Sequence, residues 1–394
     1  MYSCVRDTSG NGAGHAGRLL VMVLVERLFP SLRMSIAASV LVAGMTAILS
    51  ATSFASDGVR VLIGDGLTRV ALRSPSGILV KGSPLGTSAK HMTVTPRSLG
   101  RPVFIQSRGE LIQVNGRAYR GSIEIRKKGS GLLQVINDLD LEDYLLGVVA
   151  AEIPSDWEME ALKAQAVASR TYALYQKRNA GRRAYHILAT VDGQMYLGKR
   201  GERPRAEQAV EETKGLVLTY GGEVIPAFYH ASCGGHTEDA LELWGIDEPY
   251  LKGVDCDCQD ISTYGTWEKR VSTAGIIRSL RREGYRLNEI VGVGIGGLTA
   301  AGRVKNVLFR HAGGSLSVPA ETLRATLGYA SLPSIFFEPE IIDREIVLSG
   351  RGFGHGVGLC QWGAKEMARR GADYQSILSY YYPGTALARR RGER

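Results

Sequence analysis

Three places in this sequence combine residue types and spacings that could do chemistry: Glu152, a cysteine and histidine cluster over 230–258, and an alternating glycine run over 350–358. Glu152 falls in the last turn of a helix predicted over 141–152, where the negative end of the helix dipole disfavours a charged carboxylate. Burial would push its pKa in the same upward direction, which is what a general acid needs. Position alone fits a solvated helix-end glutamate better, so its neighbours must carry the case.

The second place is Cys233-x2-His236 with Cys256-x-Cys258, and His230 as an alternative ligand. Two such pairs can close a tetrahedral zinc site. A disulfide between Cys233 and one of the paired cysteines is the competing reading in an oxidising compartment. Two histidines beside the cysteines are superfluous for a disulfide, which favours zinc. Four protein ligands would make that zinc structural, and three would leave it open for chemistry. The third place, Gly350 to Gly358, puts glycine at every second position and presents His355. It is neither G-x-G-x-x-G nor a loop followed by Gly-Lys-Ser/Thr, so it predicts close backbone approach rather than nucleotide binding.

The elements that must position these residues read as an α+β protein. Residues 57–137 carry alternating and β-branched segments bounded by Gly, Ser and Pro, predicting a β-rich N-terminal region. A central helical pair follows. The first helix is predicted over 141–152, with Asp140 as N-cap, an apolar stripe of Leu141, Leu145 and Val149, and Pro154 as its stop. The second opens on Ser155-Asp156-Trp157-Glu158, read as a capping box, and runs to about Asn179. Alanines along it permit close packing, interrupted by the polar Gln165, Ser169 and Arg170. Beyond lie a helix near 205–213, a hairpin turning on Gly221-Gly222, a basic helix near 273–284, a β segment near 303–318, and helices at about 320–328 and 359–370, making a mixed β and helical C-terminal part.

Composition is that of a folded chain, 44% hydrophobic and 22% charged over 394 residues. The uncharged run 36–49, preceded by Arg27 and Arg33 and followed by Ser53-Phe54-Ala55, predicts an export signal cleaved after Ala55. An uncleaved anchor is the alternative, and Met22 or Met34 would each give a more typical start. The expected organisation is an export signal over 1–55, a β-rich region over 56–137, a core over 138–388 and a basic tail over 389–394. Export predicts a periplasmic or cell-envelope protein that meets a membrane only through its signal segment. The net charge of +9 suits an anionic envelope polymer, and export argues against nucleic acid.

The stretch from Leu141 through Glu152-Ile153-Pro154, Trp157 and Gln165 to Arg170-Thr171-Tyr172-Ala173 resembles the stage II sporulation protein D and amidase-enhancer family. Further family-like segments are 192–196 (Asp-Gly-Gln-Met-Tyr), 227–238 with His230, Cys233 and His236, and 354–364 with His355, Cys360 and Gln361. The resemblance spans about 58–388. It implies a lytic transglycosylase acting on peptidoglycan glycan strands stripped of stem peptides, with Glu152 as catalytic glutamate and Arg170 as an active-site arginine.

Gln165, Gln194, Tyr196, His355 and Gln361 are expected to bind substrate, and the resemblance implies zinc in the cysteine region. No second carboxylate at the separation a hydrolase requires is identifiable, in keeping with a non-hydrolytic route. From the residues alone, Arg170 reads equally as a structural ion pair to Asp156 or Glu160, and Gln165 as a buried amide. Where the family commonly has serine, this chain has Cys360. The aromatic residues Trp157, Tyr196, Tyr229, Trp244, Tyr264 and Trp267 read mostly as core or cleft wall. Two other functions remain open: a non-catalytic wall-binding module that stimulates an N-acetylmuramoyl-L-alanine amidase, and a zinc-dependent wall hydrolase.

Overall fold

The computed structural model describes residues 58–81, 89–109, 111–129 and 131–390. The predicted export signal and residues 391–394 of the basic tail lie outside the described residues. Sheets and helices alternate in segregated groups, an α+β fold.

The N-terminal strands form a six-stranded sheet in the order Ile187–Leu188, Gly58–Leu67, Leu132–Asp140, Ser122–Lys128, Val103–Ser107, Ile78–Val80. All its pairings are antiparallel except Gly58–Leu67 with Ile187–Leu188. A four-stranded sheet of Val70–Arg73, His91–Val94, Ile112–Val114 and Arg117–Tyr119 packs with it. Alternation decides what faces inward: Ile123, Ile125, Leu133 and Val135 are buried on neighbouring strands. The resulting core extends from Val59 to Val217 and includes the helical pair.

The predicted helix over 141–152 is two helices, α1 (Leu141–Leu146) and α2 (Val149–Glu152). Asp140 caps α1 as expected, accepting the Glu142 N–H at 2.8 Å. The break falls at Gly147, where a Cβ would lie 2.6 Å from the Tyr196 ring. Glycine lets that ring and the 198–201 turn press against the backbone, and the kink re-aims α2. Next comes α3 (Met159–Arg178), shorter at its start than predicted, because Glu158 occupies the cap position and makes no side-chain capping bond. Pro154 to Trp157 form a turn instead of a capping box.

After α4 (Pro204–Glu212), the strand Leu216–Tyr220 pairs with Glu223–Val224 and with the C-terminal strand Ala386–Arg389. Tyr229–His230 runs parallel to Leu359–Cys360, joining residues 130 apart in the chain. A second core gathers around this bridge, using α5 (Ala240–Trp244) at its margin, the alanine face of α3, and the later helices.

The third core is a lobe over 267–350. It contains α6 (Thr273–Arg282), α7 (Ala320–Leu327) and two three-stranded antiparallel sheets. The chain then returns to the second core through α8 (Gln361–Arg369) and α9 (Tyr374–Tyr381). No helix among the described residues is long and apolar enough to cross a membrane.

Candidate active site

Glu152 is the last residue of α2 and borders a cavity of about 590 Å³. Its Oε1 accepts the Met195 N–H at 2.6 Å and the Tyr229 hydroxyl at 3.0 Å. Met195 arrives because the strand Ile187–Leu188 is anchored on the first sheet and the chain turns back after it. Both bonds fall on one oxygen of the carboxyl. Burial pushes the Glu152 pKa up from 4.5 to about 7, with Met195, Tyr229 and Gln361 pulling the other way through hydrogen bonds. Desolvation therefore exceeds the stabilisation those donors give the anion.

Behind the carboxyl stands a relay of buried polar groups. The Tyr229 hydroxyl accepts from Gln194 Nε2 at 3.0 Å, and Gln194 Oε1 accepts from the Tyr144 hydroxyl at 3.0 Å. Gln194 also donates to Ser169 O at 3.2 Å. Its amide is fully enclosed, so it fixes Tyr229 rather than reaching a sugar. His355 lines the cavity. Its Nδ1 accepts the Val357 N–H at 3.1 Å, which assigns the hydrogen to Nε2, donated to Tyr229 O at 3.0 Å. Burial, with His230 and Arg324 nearby, keeps this imidazole neutral.

Gln361 opens α8 on the cavity wall, and its amide donates to Gln165 Oε1 at 3.3 Å. Gln165 itself is buried, donates to Ser169 Oγ at 3.0 Å, and supports Gln361 from behind. Tyr196 is a core residue: its hydroxyl donates to Asn137 at 2.8 Å and its ring packs on Tyr144. Neither Gln165 nor Tyr196 lines the cavity, which corrects the substrate-binding expectation for both. Each is drawn inward to a buried polar partner, Gln165 to Ser169 and Tyr196 to Asn137.

The far wall comes from the third lobe. Glu321, Arg324 and Tyr329 face the same cavity, and the Tyr329 hydroxyl donates to Asp192 Oδ1 at 3.2 Å. Arg324 is tied to the Leu332 and Pro333 carbonyls, and burial raises the pKa of Glu321. These residues lie some 170 positions after Glu152 with no distinguishing local motif, so sequence reasoning did not single them out. Tyr229 stood inside a quoted segment, yet nothing there separated it from a core aromatic.

Comparison with known proteins now has a site to refer to. The family model for stage II sporulation protein matches residues 129–220, which contain α1 to α4 and Glu152. An uncharacterised protein of Brachyspira hyodysenteriae is 36% identical over 278 residues, covering 70% of this chain and 73% of that protein. The stage II sporulation protein D of Bacillus subtilis is 30% identical over 275 residues, 65% of this chain and 76% of that protein.

The chain belongs to the stage II sporulation protein D family.

The amidase enhancer of Bacillus subtilis is also 30% identical, over 288 residues, but these make up only 40% of that longer protein. Within this family member two expectations need correction. Arg170 does not approach Glu152. Fully buried, it forms a two-pronged pair with Glu142 on α1 at 2.8 and 2.7 Å and donates to the Leu216 and Val210 carbonyls. It borders a different cavity, of about 470 Å³, shared with Asp143 and Lys214. The cause is helical phase: Arg170 and the cavity-lining Tyr172 leave α3 on different sides, and the guanidinium turns toward α1 and α4. Its partner is also neither Asp156 nor Glu160.

The cysteine cluster is the other correction. Cys233, Cys256, Cys258 and Cys360 are buried with their sulfurs all within 4.8 Å of one another, a group that could hold a metal. His236 is outside it, bonded through Nδ1 to its neighbour's carbonyl, and His230 turns its Nδ1 to Val357 O. The fourth thiol comes from Cys360, which the pairing of Tyr229–His230 with Leu359–Cys360 brings across. None of the four is in a disulfide.

Proposed function

We propose that this protein acts on the cell wall, cleaving denuded peptidoglycan glycan strands by lytic transglycosylation with Glu152 as the single general acid and base. The observation that carries the reading is the raised pKa of Glu152, whose carboxyl is held by Met195, Tyr229 and Gln361 at the edge of an open cavity. A carboxyl near pH 7 is protonated often enough to give its proton to the leaving glycosidic oxygen, and basic enough afterwards to take one back. The returning proton would come from the muramic acid 6-hydroxyl as it attacks C1, leaving a 1,6-anhydro end. Tyr229 and Met195 hold the carboxyl while it changes charge, and Gln361 and His355 shape the adjoining wall. Such a substrate lies outside the cytoplasmic membrane, so the reading includes export to the periplasm or envelope. It also includes a structural zinc at the four cysteines.

The name amidase enhancer, carried by one relative, favours a second reading: a wall-binding module that stimulates an N-acetylmuramoyl-L-alanine amidase. Incubating the mature protein and Glu152→Gln with denuded strands, then reading products by mass spectrometry, separates them. Anhydro ends from the wild type alone are expected. Products heavier by one water would instead indicate hydrolysis, with Asp192 or Glu321 as base. No product from either protein, with amidase stimulation intact, would support the module.

A further inference from the structure

The far wall of the cleft carries groups that proton transfer at Glu152 does not use. We propose that Arg324, with Glu321 beside it, reads the free lactyl carboxylate of muramic acid and so sets a preference for strands stripped of stem peptides. This rests on the glycan-strand reading of the cleft and not on cleavage by Glu152.

Local sequence places the pair. Glu321 and Arg324 are three residues apart in α7, so they share a face of the helix. Ala320 and Leu323 on the neighbouring face are buried in the core of the lobe, which turns the charged face to the cavity. The guanidinium is then fixed from behind. Its Nε donates to the Leu332 and Pro333 carbonyls at 3.2 Å each, and Nη2 donates to Pro333 O at 3.0 Å. The Tyr329 ring lies against it, with the centroid 4.5 Å away. A planar fork held in this way loses little freedom when a carboxylate arrives. Pro333 O also accepts the Gly354 N–H at 3.0 Å, so one carbonyl joins Arg324 to the run that carries His355.

Two polar atoms are left poorly served by the protein. Among the described residues, Arg324 Nη1 makes no hydrogen bond, and its ion pair with Glu321 Oε2 is loose, at 3.7 Å. Glu321 Oε1 is buried without a hydrogen-bond partner, which folded proteins rarely leave so. Arg324 is also the one cation among the described residues lining the cavity, since burial keeps His230 and His355 neutral. The other carboxyls there are engaged, Asp192 by Tyr329 and Glu152 by Met195 and Tyr229. Burial raises the pKa of Glu321 against the pull of Arg324, so this carboxyl takes a proton from solvent when a second carboxylate enters. The incoming group accepts from Nη1 on one oxygen and from the Glu321 O–H on the other, which satisfies both side chains. A stem peptide is attached to muramic acid by an amide at the lactyl group, the bond that a muramoyl-alanine amidase cuts. Only a stripped strand therefore offers an anion at that position.

The test measures binding by the full mature protein carrying Glu152→Gln, which leaves strands uncut. Three probes of equal length are titrated by calorimetry: denuded strands, the same strands with the lactyl carboxyl blocked as a methyl amide, and N-acetylglucosamine oligomers. Denuded strands should bind at least about ten-fold more tightly than either other probe, as expected for hydrogen bonds to a charged group. Adding Arg324→Met should bring all three to the weaker value, while Glu321→Gln, whose amide still donates, should keep most of the preference. Should Arg324→Met not fold, Arg324→Gln, neutral but able to donate to the Pro333 carbonyl, replaces it with the same expectation. A preference that survives loss of the Arg324 charge would overturn the assignment, as would equal binding of all three probes while Arg324 is in place. No binding of any strand would instead sink the glycan-strand reading, and this inference with it.

Discussion

The carboxyl of Glu152 is held at a cost that depends on pH. Its folded pKa of about 7 lies above the ordinary 4.5, so the folded protein binds the proton more tightly than the unfolded chain. Below pH 4.5 both states are protonated and no penalty exists. As pH rises from 4.5 through 7 the unfolded chain ionises first and stability falls, levelling above 7. Glu152→Gln keeps an acceptor for Met195 and Tyr229 without the charge. It should therefore be more stable than wild type at pH 8 by about 1–3 kcal/mol, discounted for partial exposure, and the difference should vanish below about pH 4. Thermal melts across that range check the sign; an advantage independent of pH would refute the assignment. Tyr229→Phe removes one donor that favours the anion, so the alkaline limb of glycan cleavage should move upward by as much as about one pH unit. A pH–rate profile reads this. Glu152 could be picked out in the sequence through the family-like stretch from Leu141 to Ala173 around it, since a helix end followed by Pro154 marks a position and not a role. Its pKa could not, since the desolvation comes from segments 40 to 200 residues away.

At the scale of elements, Arg170 shows why a motif position does not fix a role. The residue stands where the resemblance placed an active-site arginine, yet α3 carries it to the side facing α1 and α4. There it ties Glu142 to the Val210 and Leu216 carbonyls. Replacing Arg170 leaves the part-exposed Glu142 carboxylate without its cation, so Arg170→Met should destabilise by about 1–3 kcal/mol in urea unfolding, while cleavage per folded molecule persists. A loss of activity at full stability would restore it to the chemistry. The same phase logic explains the cysteines. Cys360 could not be foreseen as a fourth ligand, because its proximity to Cys233 depends on a parallel two-residue bridge that no local periodicity announces. The break at Gly147 was equally hidden: the apolar stripe Leu141, Leu145, Val149 is continuous, and only the contact with Tyr196 makes the glycine a hinge between helices.

At the scale of the molecule, the cleft has two walls with separate cores. One wall, bearing Glu152 and the 192–195 turn, belongs to the core that starts at Val59; the other, bearing Tyr329, belongs to the lobe over 267–350. The Tyr329–Asp192 hydrogen bond spans them in an exposed setting, where such a bond contributes about 0.5–1.5 kcal/mol. It touches no atom of the proton-transfer machinery. Its effect should therefore fall on how well the walls are set before a strand arrives, and not on the chemistry that follows. Tyr329→Phe should raise KM for glycan strands about 2- to 10-fold and leave kcat nearly unchanged, because uniform binding is lost while transition-state contacts remain. Steady-state kinetics on strands of defined length distinguishes the outcomes. A fall in kcat at constant KM would mean that the second wall takes part in the reaction itself, and Glu321, which shares α7 with Arg324, would then be the next carboxylate to replace.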